Sequence, residues 1–303
     1  MNAHSPRRQY RTVWISDIHL GSRGCQAELL LDFLAHVEAE TWYLVGDIID
    51  GWRLERSWYW PPAHDRAVRS FLRLAELGRR VVLVPGNHDE ALRRFDGRFF
   101  QGIEVREDAV HRTADGRRLL VLHGDQFDGV VRCHRWLALL GDGAYGAALA
   151  LNRHFNGLRR RLGFPYRSLS AVLKLKVKEA VQYIGRFEEA VAAAARQRRV
   201  DGVVCGHIHH AEIRTIDGVL YCNDGDWVES CTALVEHLDG RLEILGWADL
   251  RPDAHCAAPA PRGRSLPRDT VLAGYGISLE EPECAFSSSP MPGFLRSMAS
   301  SAR

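Results

Sequence analysis

The chain has 303 residues, 46% of them hydrophobic and 26% charged, which is enough to bury a full core in one large domain and excludes a fibrous or wholly disordered protein. With 40 Lys and Arg against 38 Asp and Glu the formal net charge is +2, so no global field draws nucleic acid and any affinity for anions has to be local. The 7 cysteines are scattered and form no C-x-x-C pair, which argues against a zinc ribbon and for reduced thiols in a cytoplasmic protein.

Residues 1–10 read as a basic extension without a secretory apolar core. Residues 11–16 are β-branched and apolar and predict a strand; in residues 27–40, Leu29, Leu30, Phe33, Leu34 and Val37 recur at helical spacing. A strand over 41–46, an amphipathic helix over 64–77 and a strand over 80–85 follow. This βαβαβ alternation predicts an α/β sheet with ligands gathered where strands end. Residues 58–62, Trp-Tyr-Trp-Pro-Pro, read either as a lipid-contacting patch or as a loop closing over the sheet. Two alternating runs around 114–117 signal a hairpin over 109–122. Residues 130–199 read as a mostly helical insertion, whose apolar stretch at 136–151 is broken by glycines and falls short of the ~20 residues a membrane span needs. Within it, Val181, Ile184, Phe187 and Val191 suit a core stripe or an acyl groove, and Arg159 to Arg161 suit a solvated face or a phosphate clamp. Strands resume at 200–205, and short, largely antiparallel strands are predicted over 211–245, where Asp224 and Asp226 lie in a polar cluster that fits a site wall or a tight hairpin. The folded domain is therefore expected over 11–250, and residues 251–303, rich in Pro, Ala and Ser, are expected to be an unstructured tail.

Five motifs stand in order, each at the end of a strand-like run: Ser16-Asp17-Ile18-His19, Gly46-Asp47-Ile48-Ile49-Asp50, Gly86-Asn87-His88-Asp89, His123-Gly124-Asp125 and Gly206-His207-Ile208-His209. Singly each is ordinary loop or turn chemistry. Together they assemble Asp17, His19, Asp47, Asn87, His123, His207 and His209, too many ligands for one tetrahedral site and suited to two divalent ions. Mn²⁺ is expected, with Fe²⁺ or Zn²⁺ as alternatives that accept the same mixed carboxylate and imidazole donors. The glycines before Asp47, Asn87 and His207 are expected to let the chain turn sharply off each strand.

These motifs resemble those of the calcineurin-like metallophosphoesterases, D-x-H, G-D-x-x-[DE], G-N-H-[DE], H-G and G-H-x-H. The resemblance implies an α/β fold of two facing β-sheets flanked by helices, with the metals at one sheet edge. It implies that Asp17, His19 and His209 hold one ion, Asn87, His123 and His207 the other, and that Asp47 bridges them. It further implies in-line attack on phosphorus by a metal-bridged hydroxide, with His88 as electrophile or general acid and Asp50, Asp89 and Asp125 orienting ligand histidines.

Trp52 soon after the second motif and the helical insertion after the fourth resemble the UDP-2,3-diacylglucosamine diphosphatases of lipid A biosynthesis, over residues 13–245. That resemblance implies cleavage of a nucleotide-sugar lipid to UMP and a diacylated sugar 1-phosphate, the insertion serving as a lid. Arg167, Ser168, Lys174 and Lys178 become candidate substrate contacts, and peripheral contact with the cytoplasmic face of the inner membrane is expected, with neither nucleic acid nor an obligate protein partner. The chain departs from the familiar members at His88, where they carry arginine, and at Gln126 to Val130, where they carry a Cys-Thr run. Two other readings stand beside this one: a broader phosphodiesterase or nuclease, and a metal-bound scaffold without turnover.

Overall fold

A computed structural model describes residues 7–128, 169–251 and 265–275, with side chains throughout except at 169–180. In chain order the strands are β1 Arg8–Ile15, β2 Val37–Val45, β3 Arg80–Val84, β4 Phe99–Phe100, β5 Ile103–Val105, β6 Ala109–Arg112, β7 Arg118–Val121, β8 Gly202–Cys205, β9 Glu212–Ile216, β10 Val219–Asn223, β11 Thr232–Glu236 and β12 Leu242–Gly246. The helices are α1 Ala27–His36, α2 Gly51–Arg56, α3 Pro62–Glu76, α4 Leu169–Gln197, α5 Trp247–Leu250 and α6 Arg268–Gly274.

Two sheets result: a seven-stranded one in the order β12-β11-β1-β2-β3-β5-β4 and a five-stranded one in the order β6-β7-β8-β10-β9. Val13, Trp14 and Ile15 are buried in succession because β1 is covered on both faces, the pattern of an α/β sheet. Trp14, Tyr43, Val45, Val82 and Val84 of the first sheet meet Leu119, Val121, Val204 and Cys222 of the second in one core. The alternate residues Leu120, Val203 and Cys205 point the other way and pack beneath Phe187, Val191, Ala192 and Ala195 of α4. The Phe187 to Val191 part of the helical stripe is therefore core, each side chain contributing about 1.5–3 kcal/mol by burial, while Val181 is exposed.

The structure departs from the sequence expectations at three places. The helix expected to run to residue 40 stops at His36, because Arg8, Gln9 and Tyr10 extend β1 and pair with Val37, Glu38 and Ala39. The strands after residue 211 are not one antiparallel set: β10 runs parallel to β8 in the second sheet, whereas β11 returns to the first and pairs antiparallel with β1. Within the segment expected to lack structure, the Leu266 backbone is bonded to the aromatic loop, its N–H donating to Trp60 O at 2.8 Å while its carbonyl accepts from the Trp58 side chain, Nε1, at 2.7 Å. The chain divides into two units, Met1–Leu266 and Pro267–Arg303, and the second contains α6, which begins directly after Pro267. Among the described residues no helix is long and apolar enough to cross a membrane.

Candidate metal centre

The loops that leave β1, β2, β3, β7 and β8 carry the five motifs and are stitched to one another through the backbone. Asp17 N–H donates to Gly46 O at 3.0 Å, His19 N–H to Asp47 O at 2.9 Å, Gly51 N–H to His88 O at 3.0 Å and Gly206 N–H to His123 O at 3.2 Å. Five of the seven candidate ligands have positive φ: Asp17 at 49°, His19 at 55°, Asp47 at 53°, His207 at 71° and His209 at 54°. Each such residue costs of order 1–3 kcal/mol, and such strain collects where side chains must converge.

The ligand residues thus turn the chain themselves, and the glycines beside them serve mainly by vacating space. A Cβ at Gly86 would overlap Asp47 Oδ1 and lie 2.7 Å from His123 Nε2; one at Gly206 would overlap Ser16 Oγ and lie 2.6 Å from Asp17 Oδ2. Of the glycines before Asp47, Asn87 and His207, only Gly46, at φ 81°, takes the left-handed conformation as expected, and there a Cβ would overlap the His123 ring.

Among the described residues, three triads place a donor atom from each member within 4.8 Å of the others: Asp17, His19 and His209; Asp17, Asp47 and His123; His19, Asp47 and His88. His209 Nε2 is 2.9 Å from Asp17 Oδ1, His19 Nε2 is 3.8 Å from both Asp17 Oδ1 and Asp47 Oδ2, and His123 Nε2 is 3.6 Å from Asp47 Oδ1. Asp47 therefore lies between two groups of donors. Asn87 Oδ1, His123 Nε2 and His207 Nδ1 are buried with no hydrogen-bond partner. Orphaned acceptors of this kind are costly, and a cation is the partner that satisfies all of them, so the donor set fits two divalent ions. The tautomer agrees: His123 Nδ1 lies 2.8 Å from Val45 O, which can only accept, so the free lone pair is on Nε2.

The electrostatics point the same way. Burial lowers the proton affinity of His123, but the Asp47 carboxylate outweighs it and pushes the pKa up to about 10. Burial is likewise overcome at His19, where Asp17 and Asp50 push it up to about 9. Asp17 and Asp47 are opposed by their own burial yet held well below the usual carboxylate range, by His209 and His19 in the first case and by His123 in the second. A pocket that binds protons this firmly on lone pairs is a pocket for cations.

His88 stands beside this centre. Its Nδ1 bonds Asp50 Oδ1 at 2.7 Å, its Nε2 is buried without a hydrogen-bond partner 3.8 Å from Asp47 Oδ2, and the half-exposed Trp52 ring lies 4.3 Å away at 36°. Asp50 also accepts from Arg53 N–H at 3.1 Å, capping α2, and its Oδ2 lies 3.6 Å from His19 Nδ1. One carboxylate thus fixes a candidate ligand and His88 together.

Two expected orienting residues do something else. Asp89 bonds backbone rather than a histidine, accepting from Gly86 N–H at 2.6 Å and Ile48 N–H at 2.8 Å, which ties the third motif to the second. Asp125 pairs with Arg93 at 2.6 Å, because Arg93 reaches across from the 3₁₀ turn Glu90–Phe95. The polar cluster at 222–230 braces the wall: Asn223 Nδ2 donates to Gly206 O at 2.7 Å, Trp227 N–H donates to Asp17 O at 3.1 Å, and Asp226 caps the turn through Val228 and Glu229. Ser16 Oγ sits 2.7 Å from both Asp17 Oδ2 and Asp224 Oδ1 and donates to these carboxylates, and burial pushes the Asp224 carboxyl well up.

Sequence reasoning missed Asp128, whose Oδ1 lies 2.6 Å from His207 Nε2. The signal was present in the Gln126 to Val130 run that departs from the familiar pattern, but nothing in one sequence marks that carboxylate as facing a histidine. Arg167, Ser168 and residues 130–168 of the lid expected over 130–199 lie outside the described residues, and Lys174 and Lys178 fall where only the α4 backbone is described.

Residues 10–211 match the family model for calcineurin-like phosphoesterases. The chain is 25% identical over 218 residues to a UDP-2,3-diacylglucosamine hydrolase of Chromohalobacter salexigens, spanning 68% of this chain and 84% of that protein. It is 28% identical over 118 residues to a protein of the same name from Aliivibrio fischeri, covering 37% of this chain and 47% of the relative. Among solved structures, a phosphoesterase from E. coli superposes with a TM-score of 0.37 at 14% identity, over 78% of this chain and 98% of that one. With the family model spanning two thirds of its length and the five motifs gathered where strands of both sheets end, the chain belongs to the calcineurin-like phosphoesterases, metal-dependent hydrolases of phosphoesters and pyrophosphates.

Proposed function

We propose that this hydrolase cleaves the pyrophosphate of UDP-2,3-diacylglucosamine, releasing UMP and 2,3-diacylglucosamine 1-phosphate. The observation that carries the reaction type is the cluster of Asp17, His19, Asp47, His123 and His209 beside His88, together with the buried, unpartnered atoms of Asn87, His123 and His207. The lipid substrate is supported by the name shared by the two curated relatives. In this reading Asp17, His19 and His209 would hold one ion, Asn87, His123 and His207 the other, and Asp47 would serve both, with Mn²⁺ suited to the mixed donors. Bound divalent ions supply neutralisation of phosphoryl charge and an activated water.

The chain's own residues do the rest. Asp50 fixes the His88 ring through Nδ1, so that Nε2 is the atom able to carry a proton to the leaving oxygen. Trp52 offers a half-exposed aromatic face beside His88 for the organic part of the substrate. In this reading the enzyme would meet the acyl chains of its substrate at the cytoplasmic face of the inner membrane.

The test is UMP release from UDP-2,3-diacylglucosamine with and without added Mn²⁺. Mn²⁺-dependent release is expected. No turnover on the lipid alongside good hydrolysis of a soluble activated diester would sink the substrate while leaving the metal centre standing.

A further inference from the structure

His207 is held on two faces. The His123 ring meets it at 5.1 Å and 72°, and the Phe187 ring of α4 lies at 5.8 Å and 37°. Phe187 also closes on Gly124, where an added Cβ would lie 2.7 Å from its Cζ. Packing between rings fixes the plane of the imidazole but not which of its two flips is adopted. One flip directs Nδ1 and Nε2 outward on opposite edges; the other exchanges them for Cδ2 and Cε1, which can neither bond a carboxylate nor donate a lone pair. The 2.6 Å contact of Nε2 with Asp128 Oδ1 selects the first flip. Because an ionised carboxylate only accepts, that contact also puts the ring proton on Nε2 and the lone pair on Nδ1, the buried atom without a hydrogen-bond partner. Asp128 Oδ1 is in turn bonded by Tyr183 Oη of α4 at 3.1 Å.

We propose that Asp128 is the positioning residue of the half-site made by Asn87, His123 and His207, setting the flip and tautomer of His207 with Tyr183 as its brace. The helix that returns from the insertion thereby touches this half-site twice, through Phe187 against the ring and through Tyr183 against its carboxylate. The inference rests on the two-ion reading given above. The Asp128 side chain is 52% exposed, so its pairing adds little to folding, and its effect belongs to metal affinity.

The experiment uses the full chain, stripped with a chelator and re-equilibrated with Mn²⁺, with bound ions counted by elemental analysis and followed by electron paramagnetic resonance. Wild type is expected to hold two ions per chain with a spin-coupled spectrum. Asp128→Ala is expected to lose about 10–100-fold in affinity at one of the two sites. At an Mn²⁺ concentration that saturates wild type, it then shows the six-line signal of an isolated ion, with the melting temperature of the metal-free protein unchanged. Asp128→Asn, whose amide oxygen still accepts from Nε2–H, is expected to restore two ions, and Tyr183→Phe to fall between wild type and Asp128→Ala. Two tightly held ions in Asp128→Ala would overturn the proposal, as would an Asn variant as impaired as the Ala one. Should Asp128→Ala fail to fold, Tyr183→Phe decides: unchanged affinity overturns the role. A wild type that never binds a second ion would instead overturn the two-ion reading itself.

Discussion

His88 Nε2 and Asp47 Oδ2 are 3.8 Å apart, yet the two residues carry opposite expectations. Asp47 lies between both donor groups, so Asp47→Ala is expected to lose bound metal and activity together. His88 sits in the His19 and Asp47 triad but is held by Asp50, so His88→Ala is expected to keep both ions, leave KM near its original value and lower kcat by about 10²–10⁴-fold. Elemental analysis beside steady-state kinetics separates the two outcomes, and loss of both ions from His88→Ala would show the assigned role to be wrong. All seven candidate donors were legible from motif order because each residue type advertises its chemistry. Their backbone was not: positive φ at Asp17, His19, Asp47, His207 and His209 is imposed by loops bonded to one another across the sheet edge, which a single run of residues does not encode.

At the scale of elements, α3 carries a buried histidine that bears on stability rather than turnover. His64 Nδ1 accepts from Gly21 N–H at 2.9 Å, and burial pushes its pKa from 6.5 down to about 4. The unfolded chain then binds this proton more tightly than the folded one. Its stability contribution is complete above pH 6.5 and is lost as pH falls from 6.5 toward 4, a loss of about 3 kcal/mol by the lower limit. Chemical denaturation of the chelated protein at pH 7.5 and pH 5 is expected to show this fall, and His64→Asn, which can accept the same N–H without titrating, is expected to show less of it. The long elements were legible from periodicity because α3 and the Phe187 to Val191 part of α4 bury one face each. Residues 99–105 were not, since β4 has two exposed residues and β5 only three, too short for alternation to register. The end of α1 was misplaced for a different reason: Val37 fits the helical stripe, and only its pairing with Arg8 makes it a strand.

Across the whole molecule, one carboxylate ties the two sheets together far from the metal centre. Glu236 of β11 accepts from Arg11 Nη1, Thr12 Oγ1 and His111 Nε2 at 2.8 Å each and from Ala114 N–H at 2.7 Å, so β1, β11 and β6 share it. Glu236→Ala leaves those donors buried around a void and is expected to cost about 3–5 kcal/mol, read as a lower denaturant midpoint, with kcat per folded molecule unchanged. A second sheet could be inferred from the sequence, but which strands belong to it could not, because β9 and β10 join one sheet and β11 and β12 the other with similar local patterns. The pairing of β1 with β11 has a consequence in time. Thr12 meets Glu236 across the ladder, 224 positions later in the chain. At about 5–20 residues per second of synthesis, β1 waits roughly 10–45 s after emerging for that neighbour. Until then its open edge, continuous with the loop that bears Asp17, is an unpaired template for other chains, and the nascent protein depends on reaching β11 before it meets one.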